Sequence, residues 1–477
     1  MKNMHKPLRT LVSIAVIGVL ATGVAHAAGF ALYGEGSGYT AGNYAAGAAA
    51  EAADASTGWY NPAGLALIRN KQGVFGGTGI FPNMRINGSS EYVTEGLPPY
   101  EQEYHRVNGS YSGFVPASHF ALPVGERTTL GLSFTGPYGL STDWSPVSPV
   151  RYSATYTELI TATISPEIGT LVLDNLAFGA GMDFQYSRVK FNQIIGAPTL
   201  LAALDENPAG LDTFSNNKGA SWGLGFHVGL MALFNDNHTR LGVNYQSQVR
   251  HVFYGHSELK GILANNFDLL LPPYPEAGGV WKNNNLFSNP IYFPDVLTIS
   301  GYQDINDQWA ILGSAVYAGW HSFKTIQLNN VAAPNISSVP PFPVTEANVI
   351  STVEQRYNDA WRFALGANYH VTPQWMMRVG GGYDQSPTRN RYRDIRLPDV
   401  DRWAIAVGTH YQWKPTIGFD VGYTHLFSGS RPSVHSVQHF STTSAFFVNS
   451  NNGIFAADLV GGQVVWTIDP VLPAPMK

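Results

Sequence analysis

Two apolar runs interrupt segments that are otherwise polar, and they are the first candidates for binding a ligand. One run lies within 198–205, where the composition predicts a short helix, and the other begins at Ile262. Exposed apolar patches usually mark interaction sites. The sequence therefore predicts either an apolar groove or two loops that pack on each other. The candidate contact residues are Leu200, Leu201, Leu204, Ile262, Leu263, Phe267, Leu269 and Leu270.

Arginine side chains are the second kind of candidate. Arg362 and Arg378, together with Arg240, fall on the polar face of predicted strands. A guanidinium group pairs bidentately with a carboxylate, and a carboxylate is costly to bury without a partner. These arginines bind either an anionic ligand or acidic side chains such as Asp183 and Asp420.

The motif Asn61-Pro62-Ala63 is the third candidate. Proline fixes φ and removes a backbone donor, and an adjacent asparagine can bond locally to the backbone. The motif is therefore either a gate in the segment that contains it or a turn before the first strand.

No motif for catalysis or for metal binding stands in the context that its chemistry needs. There is no H-E-x-x-H helix, and the G-x-S-x-G match at 219–223 lies in an alternating segment rather than at the strand-to-helix turn of a nucleophile elbow. Gly34, Gly36 and Gly38 lack the strand and helix of a dinucleotide site, and His251 and His256 lack companion ligands. We therefore expect no enzyme, no cofactor and no metal. The net charge of -5 gives no reason to expect nucleic acid as a partner.

The segments that must position these residues alternate between apolar and polar residues with a period of two. This period places successive side chains on opposite faces of a strand. Within 403–413, one face carries six residues that begin and end with tryptophan, and the other carries small and polar residues. Segments 176–187, 361–370 and 417–424 repeat the scheme. Aromatic residues at both ends of the apolar face favour a membrane barrel over a soluble sandwich. The apolar face of 403–413 comprises Trp403, Ile405, Val407, Thr409, Tyr411 and Trp413.

Connections between the segments alternate in length, which is a second sign of a barrel. Short links at about 125–127, 174–175, 235–237, 304–307, 372–373 and 414–415 separate much longer links. Short turns at one end and long loops at the other are typical of outer-membrane barrels. We predict an all-β membrane protein, an antiparallel barrel of about 14 strands. Aromatic and charged residues each make up 13% of the chain, and this charged share is about half the usual ~25%.

The two ends of the chain differ from the barrel at 73–468. Residues 1–27 have a basic start, an apolar run and an Ala25-His26-Ala27 site, which predict a cleaved signal peptide. Residues 28–72 are rich in Ala and Gly and predict a plug, which we call the hatch segment, inside the barrel. The tail 469–477 contains prolines that cannot extend a strand ladder.

Several short stretches of sequence, in order along the chain, are informative together: Ala28-Gly29-Phe30, residues 45–57, residues 61–65, Asn306-Asp307-Gln308-Trp309, Gly319-Trp320, residues 382–387 and residues 397–403. With these stretches the chain resembles the FadL family of long-chain fatty-acid outer-membrane transporters, which includes channels for aromatic hydrocarbons.

The resemblance implies loop capture of a hydrophobic ligand, a pocket inside the barrel, and lateral release into the outer membrane when the hatch moves. It implies gating roles for Phe30, Asn61, Pro62 and Ala63, and an acyl chain as the ligand of the apolar groove. The expected partners are a long-chain fatty acid or similar hydrophobic ligand and outer-membrane lipid or lipopolysaccharide, with the protein a monomer. The alternatives are an aromatic-hydrocarbon channel, an adhesin or phage-receptor barrel, and an outer-membrane lipase.

Overall fold

The alternating segments form long antiparallel strands that close into one barrel. The computed structural model describes residues 29–270, 278–337, 342–429 and 433–468. The signal peptide predicted at 1–27 and the tail at 469–477 lie outside the described residues. The barrel has fourteen strands, as predicted from the sequence. They are β1 Lys71–Thr94, β2 Gly113–Pro123, β3 Thr128–Thr135, β4 Tyr156–Leu173, β5 Leu176–Ile195, β6 Thr213–Phe234, β7 Thr239–Gln246, β8 Val296–Asp304, β9 Trp309–Ala318, β10 Ala360–Thr372, β11 Trp375–Asp384, β12 Arg402–Lys414, β13 Ile417–Ser428 and β14 Ser444–Ile468.

Each strand pairs with the next, and β14 returns to pair with β1. The closing pair runs from Lys71 opposite Ile468 to Thr94 opposite Ser444. Closure removes the free edges that an open sheet would expose, which is why strands can cross a bilayer only in this form. The six predicted short links are confirmed as the turns that follow β2, β4, β6, β8, β10 and β12.

The long connections at the other end carry additional elements. The predicted helix within 198–205 is confirmed as Pro198–Ala203. In the described part of the chain, no helix is both long and apolar enough to span a bilayer. The other loop helices are Ile262–Ala264, Trp320–Ser322 and Asn390–Tyr392, and the loop strands are Tyr100–Asn108, Gly139–Asp143, Val249–His251, Tyr254–Gly261, Phe267–Asp268, Gly279–Ser288, Ile291–Phe293, Thr325–Ile336, Pro343–Glu354 and Val434–His439.

The two faces of the barrel wall differ as the alternation predicts. On β12, Trp403 and Ile405 are 51% and 60% exposed, whereas the intervening Ala404 is 5% exposed. Ten residues separate Trp403 from Trp413, or about 33 Å of strand, which after tilting spans a band roughly 25 Å tall. Paired aromatic rings border this band, such as Tyr383 with Trp403 at the long-loop end and Trp309 with Tyr369 at the short-turn end.

The N-terminal segment lies inside the barrel and is almost entirely buried. Its short helices are Thr40–Gly42, Ala48–Glu51, Thr57–Tyr60 and Pro62–Leu67. Hydrogen bonds join it to strands on several sides of the lumen. These are Gly38 N to Gln463 Oε1 (3.0 Å), Gly47 N to Ser314 Oγ (2.8 Å), Asn368 Nδ2 to Glu51 Oε1 (2.8 Å) and Thr129 Oγ1 to Ile68 O (3.0 Å).

Candidate functional site

Phe30, near the start of the described chain, lies in a box of aromatic rings. Its ring centroid lies 4.6 Å from that of Trp320, 5.2 Å from Phe323 and 5.3 Å from Phe293, and all three contacts are edge-on. Edge-on ring pairs contribute about 0.5–1.5 kcal/mol each beyond their buried area. Phe30 is only 1% exposed. The box therefore holds the N-terminal segment in place by several weak contacts that share one side chain.

An upper cavity of about 690 Å³ lies on the long-loop side of Phe30. Most of its wall is apolar, with Leu159, Phe191 and Val353 among the lining side chains. Arg396 also lines it, from the loop that joins β11 to β12. This arrangement suits a ligand with a long apolar part and one polar group.

Arg396 is buried against neutral oxygens. Its Nη2 donates to Ser153 O (2.6 Å) and Gln193 Oε1 (2.8 Å), and its Nη1 donates to Thr157 Oγ1 and Asn192 O (both 3.2 Å). Burial lowers the pKa of Arg396 from its usual value, and Asp394 offsets this in part. Within the described residues, none of the ion pairs shorter than 4.0 Å involves Arg396. Asp394 acts on this charge without forming a short ion pair with it, and burying a charge without a direct partner is costly, so an anionic ligand would supply the contact.

A lower cavity of about 870 Å³ lies between the hatch segment and the barrel wall, and Tyr33, Tyr138 and Arg362 are among its lining residues. The guanidinium of Arg362 lies 3.9 Å from the centroid of the Tyr44 ring, and its Nη2 donates to Tyr44 O (2.9 Å). Its Nη1 is buried without a hydrogen-bond partner in the described part of the chain. The lower cavity therefore offers one unused donor.

The strand ladder is interrupted beside the lower cavity. β2 pairs with β3 only from Ser118 opposite Phe134 to Pro123 opposite Thr129. Beyond Thr135 the chain turns away from β2 at 136–138 and bonds instead to the N-terminal segment. Leu32 N donates to Pro137 O and Gly139 N donates to Phe30 O, both at 2.8 Å. Across the gap, a Cβ built on Gly136 would lie 3.4 Å from Val115 Cγ1. The side chain of Val115 thus lies close to the backbone of Gly136 at this gap.

Comparisons with known proteins agree with this architecture. Residues 18–457 match the model of the family described as outer membrane protein transport protein (OMPP1/FadL/TodX). The chain belongs to this family. It is 28% identical over 436 residues to a long-chain fatty acid transport protein of Salmonella typhi, covering 89% of this chain and 93% of that one.

Solved structures of the FadL family share the fold. A Pseudomonas aeruginosa FadL homologue superposes with a TM-score of 0.75 at 21% identity, covering 92% of this chain and 100% of the other. The toluene transporter TodX of P. putida gives 0.55 at 15% identity, covering 86% and 92%. The protein is thus an outer-membrane transporter of hydrophobic compounds, with its short turns in the periplasm and its long loops outside the cell.

The predicted loop residues form one hydrophobic cluster at the extracellular end. Leu263 and Leu269 are buried in it, and Leu200, Leu201, Ile262 and Phe267 pack against them. Leu204, directly after the helix Pro198–Ala203, is 47% exposed and is not a member of the cluster. These contacts join the two predicted loops to each other, and the two inner cavities lie elsewhere. Leu270 is half-buried, and the rest of its loop, 271–277, lies outside the described residues.

Arg378 lies apart from Arg362. Its Nη1 lies 2.6 Å from Asp420 Oδ1, and its Nη2 lies 3.8 Å from Glu51 Oε1. It lines a third, polar cavity of about 790 Å³ near the periplasmic end. Of the two arginines predicted to contact ligand, Arg378 has acidic side-chain partners and Arg362 lines an apolar cavity.

The Asn61-Pro62-Ala63 motif packs against the barrel wall. Asn61 Nδ2 donates to Ala49 O (2.7 Å) and Leu230 O (3.0 Å), and Asn61 Oδ1 accepts from Ala63 N (3.1 Å). A Cβ built on Gly229 of the wall would lie 1.9 Å from Asn61 Oδ1. Only glycine allows this close approach, so the motif is held by the barrel rather than being a free turn before β1.

Arg396 is the main site residue that the sequence did not single out. It lies in 385–401, which also contains Arg389, Arg391 and Arg393. Charged residues in a long loop are usually solvated, and no period marks Arg393 and Arg396 as the two that are buried. The flanking Ile395 and Leu397, both buried, are the one local signal for Arg396.

Proposed function

We propose that this protein takes up long-chain fatty acids across the outer membrane. The observation that carries the proposal is Arg396, whose buried guanidinium has no carboxylate oxygen within 4.0 Å among the described residues and lies at the wall of a mainly apolar cavity that Asp394 also lines. A carboxylate bound there would form charge-assisted hydrogen bonds. The acyl chain would fill the apolar remainder, at about 0.8 kcal/mol for each CH₂ removed from water.

The proposed path runs from the loops to the membrane in three stages. The extracellular cluster around Leu263 and Leu269 captures the ligand, the upper cavity binds it, and movement of Phe30 connects the upper cavity to the lower one. The gap between β2 and residues 136–138 then releases the ligand sideways into the membrane. In this proposal the hatch segment and its Asn61-Pro62-Ala63 motif control release, and the protein catalyses no reaction.

The relatives support this proposal at the level of ligand class. The Salmonella typhi relative bears the name long-chain fatty acid transport protein, whereas the P. putida structure is a toluene transporter. The aromatic box around Phe30 favours the second ligand class, because flat aromatic molecules pack well against edge-on rings. In our proposal Arg396 favours the fatty acid, because a hydrocarbon has no anionic group that could bind a buried guanidinium.

The test is ligand binding by purified protein with Arg396→Gln. We expect the dissociation constant for oleate to rise about tenfold to a hundredfold, because a hydrogen bond to a charged group contributes about 1.5–3 kcal/mol. Binding of oleyl alcohol, which has the same chain and no charge, should change little.

The matched control is Arg391→Gln, which removes an exposed arginine from the same loop. It should bind oleate as the unmodified protein does. Equal oleate affinities for the two variants would contradict the carboxylate assignment. Uptake of labelled oleate by cells that lack their own fatty-acid transporter then tests transport, and uptake of toluene without oleate would favour the hydrocarbon channel.

A further inference from the structure

The outer surface of the barrel carries a cluster of basic residues just above the membrane band. On β5 and β6, the rings of Tyr186 and Trp222 lie 5.3 Å apart and mark the extracellular edge of the band. Side chains that point outward continue above them as Arg188 and Lys190 on β5 and Lys218 on β6. At about 3.3 Å per residue, Arg188 lies roughly 7 Å and Lys190 roughly 13 Å above Tyr186 along the strand.

The strand register places these residues side by side. Lys190 is directly opposite Lys218 on the next strand, and Lys218 is opposite His256 on the loop strand Tyr254–Gly261. One row further out, Lys282 lies opposite Glu258. We call Arg188, Lys190, Lys218, His256 and Lys282 the basic patch. Neighbouring strands are about 4.8 Å apart, so the row from Lys190 to His256 is roughly 10 Å wide.

The charges of the basic patch are only partly balanced. Glu158 Oε1 lies 3.0 Å from both Arg188 Nη2 and Lys190 Nζ. Within the described residues, Lys218 and Lys282 have no carboxylate oxygen within 4.0 Å. Like charges directly opposite each other destabilise a sheet, so the Lys190–Lys218 pair carries a cost that an anion between them would remove. Burial lowers the pKa of His256, Lys282 and Lys218 lower it further, and Glu258 opposes them.

Other sides of the barrel present acidic groups at the extracellular aromatic residues. Asp359 accepts a hydrogen bond from Tyr317 Oη (2.8 Å), and Asp401 accepts one from Tyr383 Oη (2.7 Å). The wall formed by β5, β6 and the loop strands above them therefore presents basic groups beside its extracellular aromatic residues, where these two other positions present acidic groups. If basic residues only kept the protein soluble, they would be spread evenly around the barrel, so solubility does not explain this difference.

We propose that the basic patch binds the phosphate groups of lipopolysaccharide in the outer leaflet. The patch lies at the height where the head groups of the outer leaflet begin, and clusters of basic residues at the membrane surface recognise anionic lipids. Lysine and arginine both bind phosphate oxygens through charge-assisted hydrogen bonds. Tyr186 and Trp222 anchor the same wall at the interface, where aromatic rings are favoured. The proposal depends on the outer-membrane location and is independent of the transported ligand.

The experiment compares two triple variants of the full chain in detergent. The test variant is Lys190→Gln, Lys218→Gln, Lys282→Gln. The control is Arg106→Gln, Lys324→Gln, Lys414→Gln, which makes the same change in net charge at exposed positions outside the patch. Binding of fluorescent bis-phosphorylated lipid A is titrated, with dephosphorylated lipid A and inorganic phosphate as separate arms.

We expect the test variant to bind bis-phosphorylated lipid A at least about tenfold more weakly than the control, at roughly 1 kcal/mol per basic residue. The two variants should bind dephosphorylated lipid A equally. Equal binding of the phosphorylated form by both variants would overturn the proposal. Displacement of lipid A by inorganic phosphate at similar concentrations would also overturn it, because the site would then be one for free phosphate. Oleate binding by the test variant should be unchanged, so this result is separate from the test of Arg396.

Discussion

Four of the buried arginines can be sorted into two groups according to the side chains that they contact. Arg378 contacts Asp420 and Glu51, and Arg402 lies 3.4 Å from Asp384 and 3.2 Å from Asp399. Arg362 and Arg396 have no such contact among the described residues, and each lines one of the two cavities beside Phe30. Removing a partner from a buried ion pair is strongly destabilising, so paired arginines stabilise the wall. The unpaired arginines are the ones that can exchange neutral contacts for a ligand carboxylate.

Arg362→Gln tests whether the lower cavity takes part in transport. We expect slower oleate uptake, because the oleate carboxylate would no longer meet a guanidinium in the lower cavity on its way to the gap beside β2. Equilibrium binding in the upper cavity should be unchanged, since Arg396 remains. The measurements are the initial uptake rate in cells and oleate binding by purified protein. A lower affinity with an unchanged rate would contradict the assignment, and Arg391→Gln again serves as the exposed control.

Prediction from the sequence placed strand residues such as Arg362 on the correct face of the wall, but it missed Arg396 in a loop. Arg362 was identified because alternation places it on the inward face between Trp361 and Phe363, and its burial agrees. Arg396 was missed because its loop has no period, and its orientation depends on contacts with Ser153 and Gln193, which are distant in the chain. Long-range packing decides such positions, and a single sequence does not record it.

At the scale of elements, residues 30–32 form a short strand-like contact with residues 137–139, and the proposed release requires this contact to open. Two backbone hydrogen bonds to residues 137–139 and the Phe30 ring contacts hold this part of the segment to the wall. Gly29 N adds a bond of 2.8 Å to Asp399 Oδ2. By contrast, the closing pair of the barrel, β1 with β14, runs along nearly the whole of both strands. Local opening follows the segments with the fewest contacts, so movement at residues 30–32 costs far less than opening the barrel.

A disulfide between Ala31→Cys and Tyr138→Cys would hold this contact closed. The two residues form an antiparallel bridge, and their hydrogen bonds are made by the flanking residues, which brings the two Cα atoms to about 4.5 Å. This separation lies within the range that a disulfide accepts. The chain has no native cysteine, so the new pair is unambiguous. We expect oxidation to stop oleate uptake and reduction to restore it.

The single variants Ala31→Cys and Tyr138→Cys are the controls for this experiment. Neither should respond to oxidation, and both report the cost of altering the aromatic box. Uptake that continues through the oxidised double variant would show that residues 30–32 need not separate from 137–139.

The strands were predictable because most of them alternate over ten or more residues, which averages out local exceptions. The break in the strand ladder after Thr135 was not predicted, although a Gly-Pro pair such as Gly136-Pro137 commonly interrupts a strand. In the sequence these residues looked like the start of the long link at 137–153. Their actual role depends on residues 30–32, about 100 positions earlier, which supply the missing ladder partner.

At the scale of the whole molecule, the barrel is wide enough for a channel but is filled. The hatch segment bonds to strands on several sides of the lumen, and glycines of the wall let its backbone approach closely, as at Gly422, where a Cβ would lie 2.3 Å from Gly42 N. The polar cavity beside Glu51 and Arg378 lies on the periplasmic side of the segment. The two cavities beside Phe30 are lined mainly by apolar side chains. The architecture therefore favours sideways release of hydrophobic molecules over axial flow of water-soluble ones.

Liposomes that contain the purified protein test this conclusion. We expect them to swell in arabinose no faster than protein-free liposomes, because a sugar would have to pass the buried hatch segment and give up its hydrogen bonds to water in an apolar cavity. The same preparation should accelerate transfer of oleate from solution into the bilayer without an energy source, since the ligand moves down its own gradient. A general outer-membrane porin is the positive control for swelling. Fast swelling with this protein would mean that the hatch segment leaves an open axial path, and release through the wall beside β2 would then not be needed.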